Sequence, residues 1–168
     1  MKKFELTTES ITNEAGKKLF RIKALIDFGD VKAGELGGYV EKEGNVSQDD
    51  NAWVSGDAEV FGNAKVFGNA RVSGHAWVSD NAWVSDNAWV SDNADYALVQ
   101  GFGIKFRCTT FYRGKNKKIM VNCGCFHGDL EEFRKQVKET RSGKIAKEYL
   151  MIADLMEYHF VSEDSSDE

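Results

Sequence analysis

Val54, Val60, Val66, Val72, Val78, Val84 and Val90 stand six residues apart, each with an alanine two positions before it, from Ala52 to Ala88. A short fixed period constrains a chain strongly, because each unit can bury its apolar side only against copies of itself. Ala and Val two apart share one side of an extended strand, while Trp53 and Ser55, between and after them, face the other. Each unit closes on a pair suited to a sharp turn: Gly56-Asp57, Gly62-Asn63, Gly68-Asn69, Gly74-His75, Asp80-Asn81, Asp86-Asn87 and Asp92-Asn93. Two degenerate units, Gly38–Val40 and Gly44–Val46, extend the block upstream across a two-residue insertion near Gln48–Asp50, giving nine units within 38–96. The pattern predicts a short strand, a corner, then another short strand.

An aliphatic residue followed four places later by a small one, from Val54 and Ala58 onward, resembles the hexapeptide-repeat proteins. That resemblance implies a mainly β fold, a left-handed parallel β-helix of about three coils, commonly packed as a homotrimer. Three units per coil would stack Tyr39, Glu59, Phe61 and Trp77 on one face. Lys65, Phe67 and Trp83 would share the second, and Trp53, Arg71 and Trp89 the third. Outward aromatics in such number mark contacts, either with terminal segments and neighbouring subunits that cover them or with a ligand. We therefore expect the ligand-binding or interface residues to be Trp53, Arg71, Trp77, Trp83, Trp89, Phe61, Phe67 and Lys65. An arginine between two indoles suits cation–π contact or a planar ligand.

With 168 residues and 42% hydrophobic content, the chain can build one or two small domains with a core. No apolar run approaches the ~18 residues of a membrane-spanning helix, and "MKKFELTTES" lacks the apolar stretch of a secretory signal. Three cysteines without such a signal fit a reducing cytoplasm. The charge is uneven: residues 1–96 hold 10 Lys and Arg against 16 Asp and Glu, residues 97–161 hold 12 against 7, and the tail "SEDSSDE" carries four acids. A basic module beside an acidic one can meet an anionic ligand on one side only.

Four segments follow: an N-terminal β cap over 1–37, the repeat over 38–96, an α+β module over 97–161, and a disordered acidic tail over 162–168. In the cap, "KFELT" and "LFRIKALIDF" read as a strand pair turning at "NEAG". In the module, "IKFRCTTFY" and "KIMVNCGCF" read as a hairpin around "RGKNK", with Ile119, Val121, Cys123 and Cys125 on one face. Asp129 and Glu132 make a capping box opening a helix, and a second helix spans about 144–160. Lys105, Arg107, Arg113, Lys117 and Arg134 form a possible basic patch. Cys108, Cys123 and Cys125 read as core cysteines, with a zinc site that adds His127, or a reactive thiol, as the alternatives. We expect no metal, no cofactor and no catalytic residue.

Beyond the repeat, "LFRIKAL", "VKAGELGGYVEKEGNVSQ", "VNCGCFHGDLEEFRKQVKET" and "AKEYLMIADL" together resemble a group of small phage and prophage proteins. The resemblance implies a bacterial cytoplasm and antagonism of host defence. The expectation is a non-enzymatic, trimeric binding protein that captures a small anionic aromatic ligand or a host protein. An acyl-CoA-dependent acyltransferase using His75 or His127, or a purely structural scaffold, is the alternative. Membrane partners are not expected, and nucleic-acid binding is disfavoured by the acidic repeat.

Overall fold

The computed structural model describes residues 1–91, 95–105 and 107–160. The acidic tail assigned from sequence to 162–168 lies outside them. The first two strands, β1 (Phe4–Thr12) and β2 (Lys18–Ala24), form an antiparallel hairpin. Then β3 (Leu36–Val40) joins β2 antiparallel. The repeat supplies seven strands of two residues each: β4 (Trp53–Val54), β5 (Glu59–Val60), β6 (Lys65–Val66), β7 (Arg71–Val72), β8 (Trp77–Val78), β9 (Trp83–Val84) and β10 (Trp89–Val90).

These strands correct the expected left-handed parallel β-helix of coils, and with it the hexapeptide-repeat resemblance. The described residues form separate small sheets: a mixed one ordered β1-β2-β3-β5-β8, a three-stranded one ordered β10-β7-β4, a pair β6-β9, and a four-stranded antiparallel sheet downstream. The reason is the length of the strands. Two residues per unit leave the rest of each unit to the corner, so pairing stays in short fragments, and the antiparallel hairpin is built into the first sheet.

Within those fragments the pairing is parallel, each unit beside the unit three further on: Trp53 with Arg71, Arg71 with Trp89, Glu59 with Trp77, and Lys65 with Trp83. Every repeat alanine and valine is buried in one continuous core. Burying a valine contributes about 1.5–3 kcal/mol, and alanine at the other inward position lets neighbouring strands approach. The corners take left-handed backbone at Gly56, Gly62, Gly68 and Gly74, and the same position is held by Asp80 and Asp86 with φ of 59° and 53°.

The C-terminal module is larger than its hairpin. Its sheet runs β11 (Tyr96–Phe102), β12 (Arg107–Arg113), β13 (Ile119–Cys123) and β14 (Phe126–Asp129), all antiparallel. Gly124, with φ of 59°, turns β13 into β14, so Cys125 is exposed in a turn and does not continue the apolar face expected of it. Helix α1 (Leu130–Thr140) opens on the expected box: Asp129 accepts from the Glu132 amide at 2.9 Å, and Glu132 accepts from the Asp129 amide at 2.8 Å. Helix α2 (Gly143–His159) packs beside it.

Strand alternation in β12 joins module and repeat. Phe111 enters the core shared with the helices, while Tyr112 enters the core of the repeat. Burial pushes the Tyr112 phenol up to about 12, partly offset by the Ser85 hydroxyl. The open edge at β9 is closed by side chains of the sheet: the Trp83 amide donates to Thr110 Oγ1 at 3.0 Å, and the Trp83 carbonyl accepts from Asn122 Nδ2 at 2.9 Å. Unpaired edges invite association, and here the module satisfies one. No helix among the described residues is long and apolar enough to cross a membrane.

Candidate functional site

The repeat brings Arg71 and Trp89 together on neighbouring strands of the β10-β7-β4 sheet, with Ser55, Ser73 and Ser91 following the paired residues. Trp53 is on the same sheet but not in the site. It is only 2% exposed, packed edge-on against Phe4 and Phe28 with ring centroids at 6.2 and 5.3 Å. The N-terminal segment therefore covers the first indole of the column and leaves the last, Trp89, 52% exposed.

A module loop completes the site. Ala88 bridges to Gly114, and the Lys115 amide donates to the Asn87 carbonyl at 2.8 Å, so the turn after β12 is fastened to the repeat by its backbone. That fastening sets the Lys115 ammonium over the Trp89 ring, 5.6 Å from its centroid. The resulting cleft, about 490 Å³, is lined by Arg71, Arg113, Lys115 and Lys117, with Asp30 and Asp95 as its described carboxylates. Four cations against two carboxylates leave a positive cleft around one exposed indole.

The two carboxylates order the arginines. Asp30 pairs with Arg71, and Asp95 holds Arg113 Nε at 3.0 Å while accepting from the Ser91 amide and hydroxyl, both at 2.8 Å. A guanidinium has five N–H donors, so each arginine retains donors for a ligand after its own pairing. Arg71 and Arg113 are then pre-positioned at little further entropic cost.

The remaining residues expected at the site lie elsewhere. Phe61 is buried with Leu19 and Tyr39, and half-buried Trp77 packs against it at 5.9 Å. Phe67 meets Trp83 edge-on at 6.1 Å on the sheet that also carries Lys65. The basic residues do not form one patch. Arg113 and Lys117 enter the cleft, Lys105 and Arg107 line a different cavity, and Arg134 is tied on the helices to Glu131, Asp154 and Glu157. Sequence reading missed Asp30 and Asp95, which sit in irregular segments with no periodic signal.

Of the four residues of the zinc alternative, Cys108, Cys123 and His127 have other partners, and Cys125 is exposed. Cys108 Sγ meets the Asn81 carbonyl at 3.3 Å, and burial pushes its thiol up, disfavouring thiolate. Cys123 Sγ accepts from the Thr109 hydroxyl at 3.1 Å. Among the described residues no cluster of three or more His, Cys, Asp or Glu is arranged to hold a metal. Both ring nitrogens of His127 are engaged, one by Asp86 and one by Asn122 Oδ1, and His75 stands exposed at a corner 4.0 Å from Asp57.

No protein-family model and no curated protein matches the chain, so the resemblance to phage and prophage proteins has no support beyond the quoted stretches.

Proposed function

We propose that this chain is a non-enzymatic binding protein that captures a small anionic aromatic ligand, of the nucleotide type, in the Arg71–Trp89 cleft. The observation behind the reading is the convergence of one exposed indole with four cations drawn from two separate parts of the sequence. Stacking on an aromatic side chain contributes about 1–3 kcal/mol per base. Arg71, Arg113, Lys115 and Lys117 neutralise an attached phosphate, and the Ser73 and Ser91 hydroxyls are further donors along the cleft. The volume falls within the roughly 300–1,000 Å³ of small-molecule sites. The three cysteines are unbridged, which suits the cytoplasm as the place of action.

Tryptophan fluorescence tests this directly. Adenosine and guanosine monophosphates, their cyclic forms and the uncharged nucleosides are titrated into the purified chain. Saturable quenching by a nucleotide, absent in Trp89→Phe and at least about tenfold weaker in Lys115→Ala with Lys117→Ala, is the expected result. Equal affinity for nucleotide and nucleoside, or a quench that survives Trp89→Phe, rules the reading out.

A further inference from the structure

A second cavity, about 400 Å³, lies within the module between the sheet and the helices. Its inner wall is aromatic. Phe133 is packed by Phe126 at 5.6 Å and by Tyr149 at 5.9 Å, and the Tyr149 hydroxyl donates to the Phe102 carbonyl at 3.1 Å, tying α2 to the end of β11. The mouth is cationic, with Lys105, Arg107 and Arg141, and the described lining contains no Asp or Glu.

Two contacts of the lining residues Arg107 and Tyr149 depend on glycine. A Cβ at Gly124 would lie 2.1 Å from Arg107 Nη1, and one at Gly103 would lie 2.5 Å from the Tyr149 hydroxyl; both positions have left-handed backbone. The guanidinium therefore lies across the β13–β14 turn where any side chain would displace it. In the Arg71–Trp89 cleft carboxylates already hold both arginines. Here three cations stand at a pocket with an aromatic inner wall and have no ion pair among the described residues.

We infer that this cavity is a second binding site, independent of the first, for an amphipathic monocarboxylate: an aromatic or short acyl body against Phe126, Phe133 and Tyr149, with its carboxylate at Arg107. A carboxylate at Arg107 makes a two-pronged, charge-assisted pair, which is what a planar guanidinium favours.

Calorimetric titration of the full chain with naphthoate, against uncharged naphthalenemethanol, tests the site. Saturable one-to-one binding is expected, with naphthalenemethanol at least about tenfold weaker and Arg107→Gln lowering naphthoate affinity by a similar factor. Trp89→Phe should leave naphthoate affinity unchanged, which separates this site from the nucleotide cleft. Bound naphthoate should also slow alkylation of the exposed Cys125, read by mass spectrometry. If Arg107→Gln loses its fold by circular dichroism, the Lys105→Gln, Arg141→Gln double variant takes its place. Equal binding of acid and alcohol, no saturable binding, or loss of binding in Trp89→Phe overturns the proposal.

Discussion

Lys3 is a charged residue in an apolar setting, 2% exposed, with its ammonium 2.7 Å from the Ala52 carbonyl and 2.9 Å from that of Asp50. It also lies 4.7 Å from the Phe28 ring centroid. Burial pulls its pKa down from 10.5 to about 8, against the upward pull of Asp50. Between those values the unfolded chain binds more protons than the folded one, so stability rises with pH from about 8 toward 10.5. The neutral amine keeps two N–H donors for the two carbonyls, so the fold survives the deprotonation. Lys3→Met strands both acceptors, at a cost of about 1–3 kcal/mol each. Urea unfolding at several pH values should show that loss, together with disappearance of the alkaline rise. Trp53 raises a related question, since its indole N–H is buried without a hydrogen-bond partner among the described residues. Trp53→Phe removes that donor and should change stability by no more than about 1 kcal/mol, whereas Trp53→Ala should cost about 3–5 kcal/mol. The burial of Lys3 has no signal in the sequence; that of Trp53 fits covering of the repeat aromatics by a terminal segment, although Phe28, which covers it, lies in a segment without period.

At the scale of elements, the inward face of the repeat was readable because Val and Ala occupy fixed positions two apart, and their burial follows from that spacing alone. The sheet organisation was not readable, since a six-residue period does not say how far each ladder extends. Corners carry the sharpest element-level test. A Cβ at Gly74 would meet the Ser91 carbonyl oxygen at 2.3 Å, but one at Gly56 would come no closer than 3.4 Å to Gly74. Left-handed backbone alone costs a side chain about 1–2 kcal/mol. Gly56→Ala should lose about that much and Gly74→Ala clearly more, about 3 kcal/mol or above, measured by thermal or urea unfolding. In the module, the capping box made α1 legible, while β14 (Phe126–Asp129) was missed. Gly128 and Asp129 are poor strand formers, and pairing with β13 imposes the extended state on them.

Across the whole molecule, two unlike halves are joined by a seam that also makes the ligand cleft. The repeat supplies Arg71 and Trp89, while the module supplies Lys115 and Lys117 from a loop fastened to Asn87 and Ala88. The charge asymmetry between the halves was visible in composition, and so was the Arg–Trp juxtaposition. Their meeting at one cleft was not, because it depends on tertiary docking of a loop 25 or so residues downstream of the last strand it touches. Native mass spectrometry of the chain purified from bacterial cells is the most direct measurement of the central claim. We predict particles carrying a stoichiometric small molecule with nucleotide-like ultraviolet absorbance, lost in Trp89→Ala, with the particle mass also counting the chains. Bare wild-type chains that take up no nucleotide from added mono- and cyclic forms would contradict it.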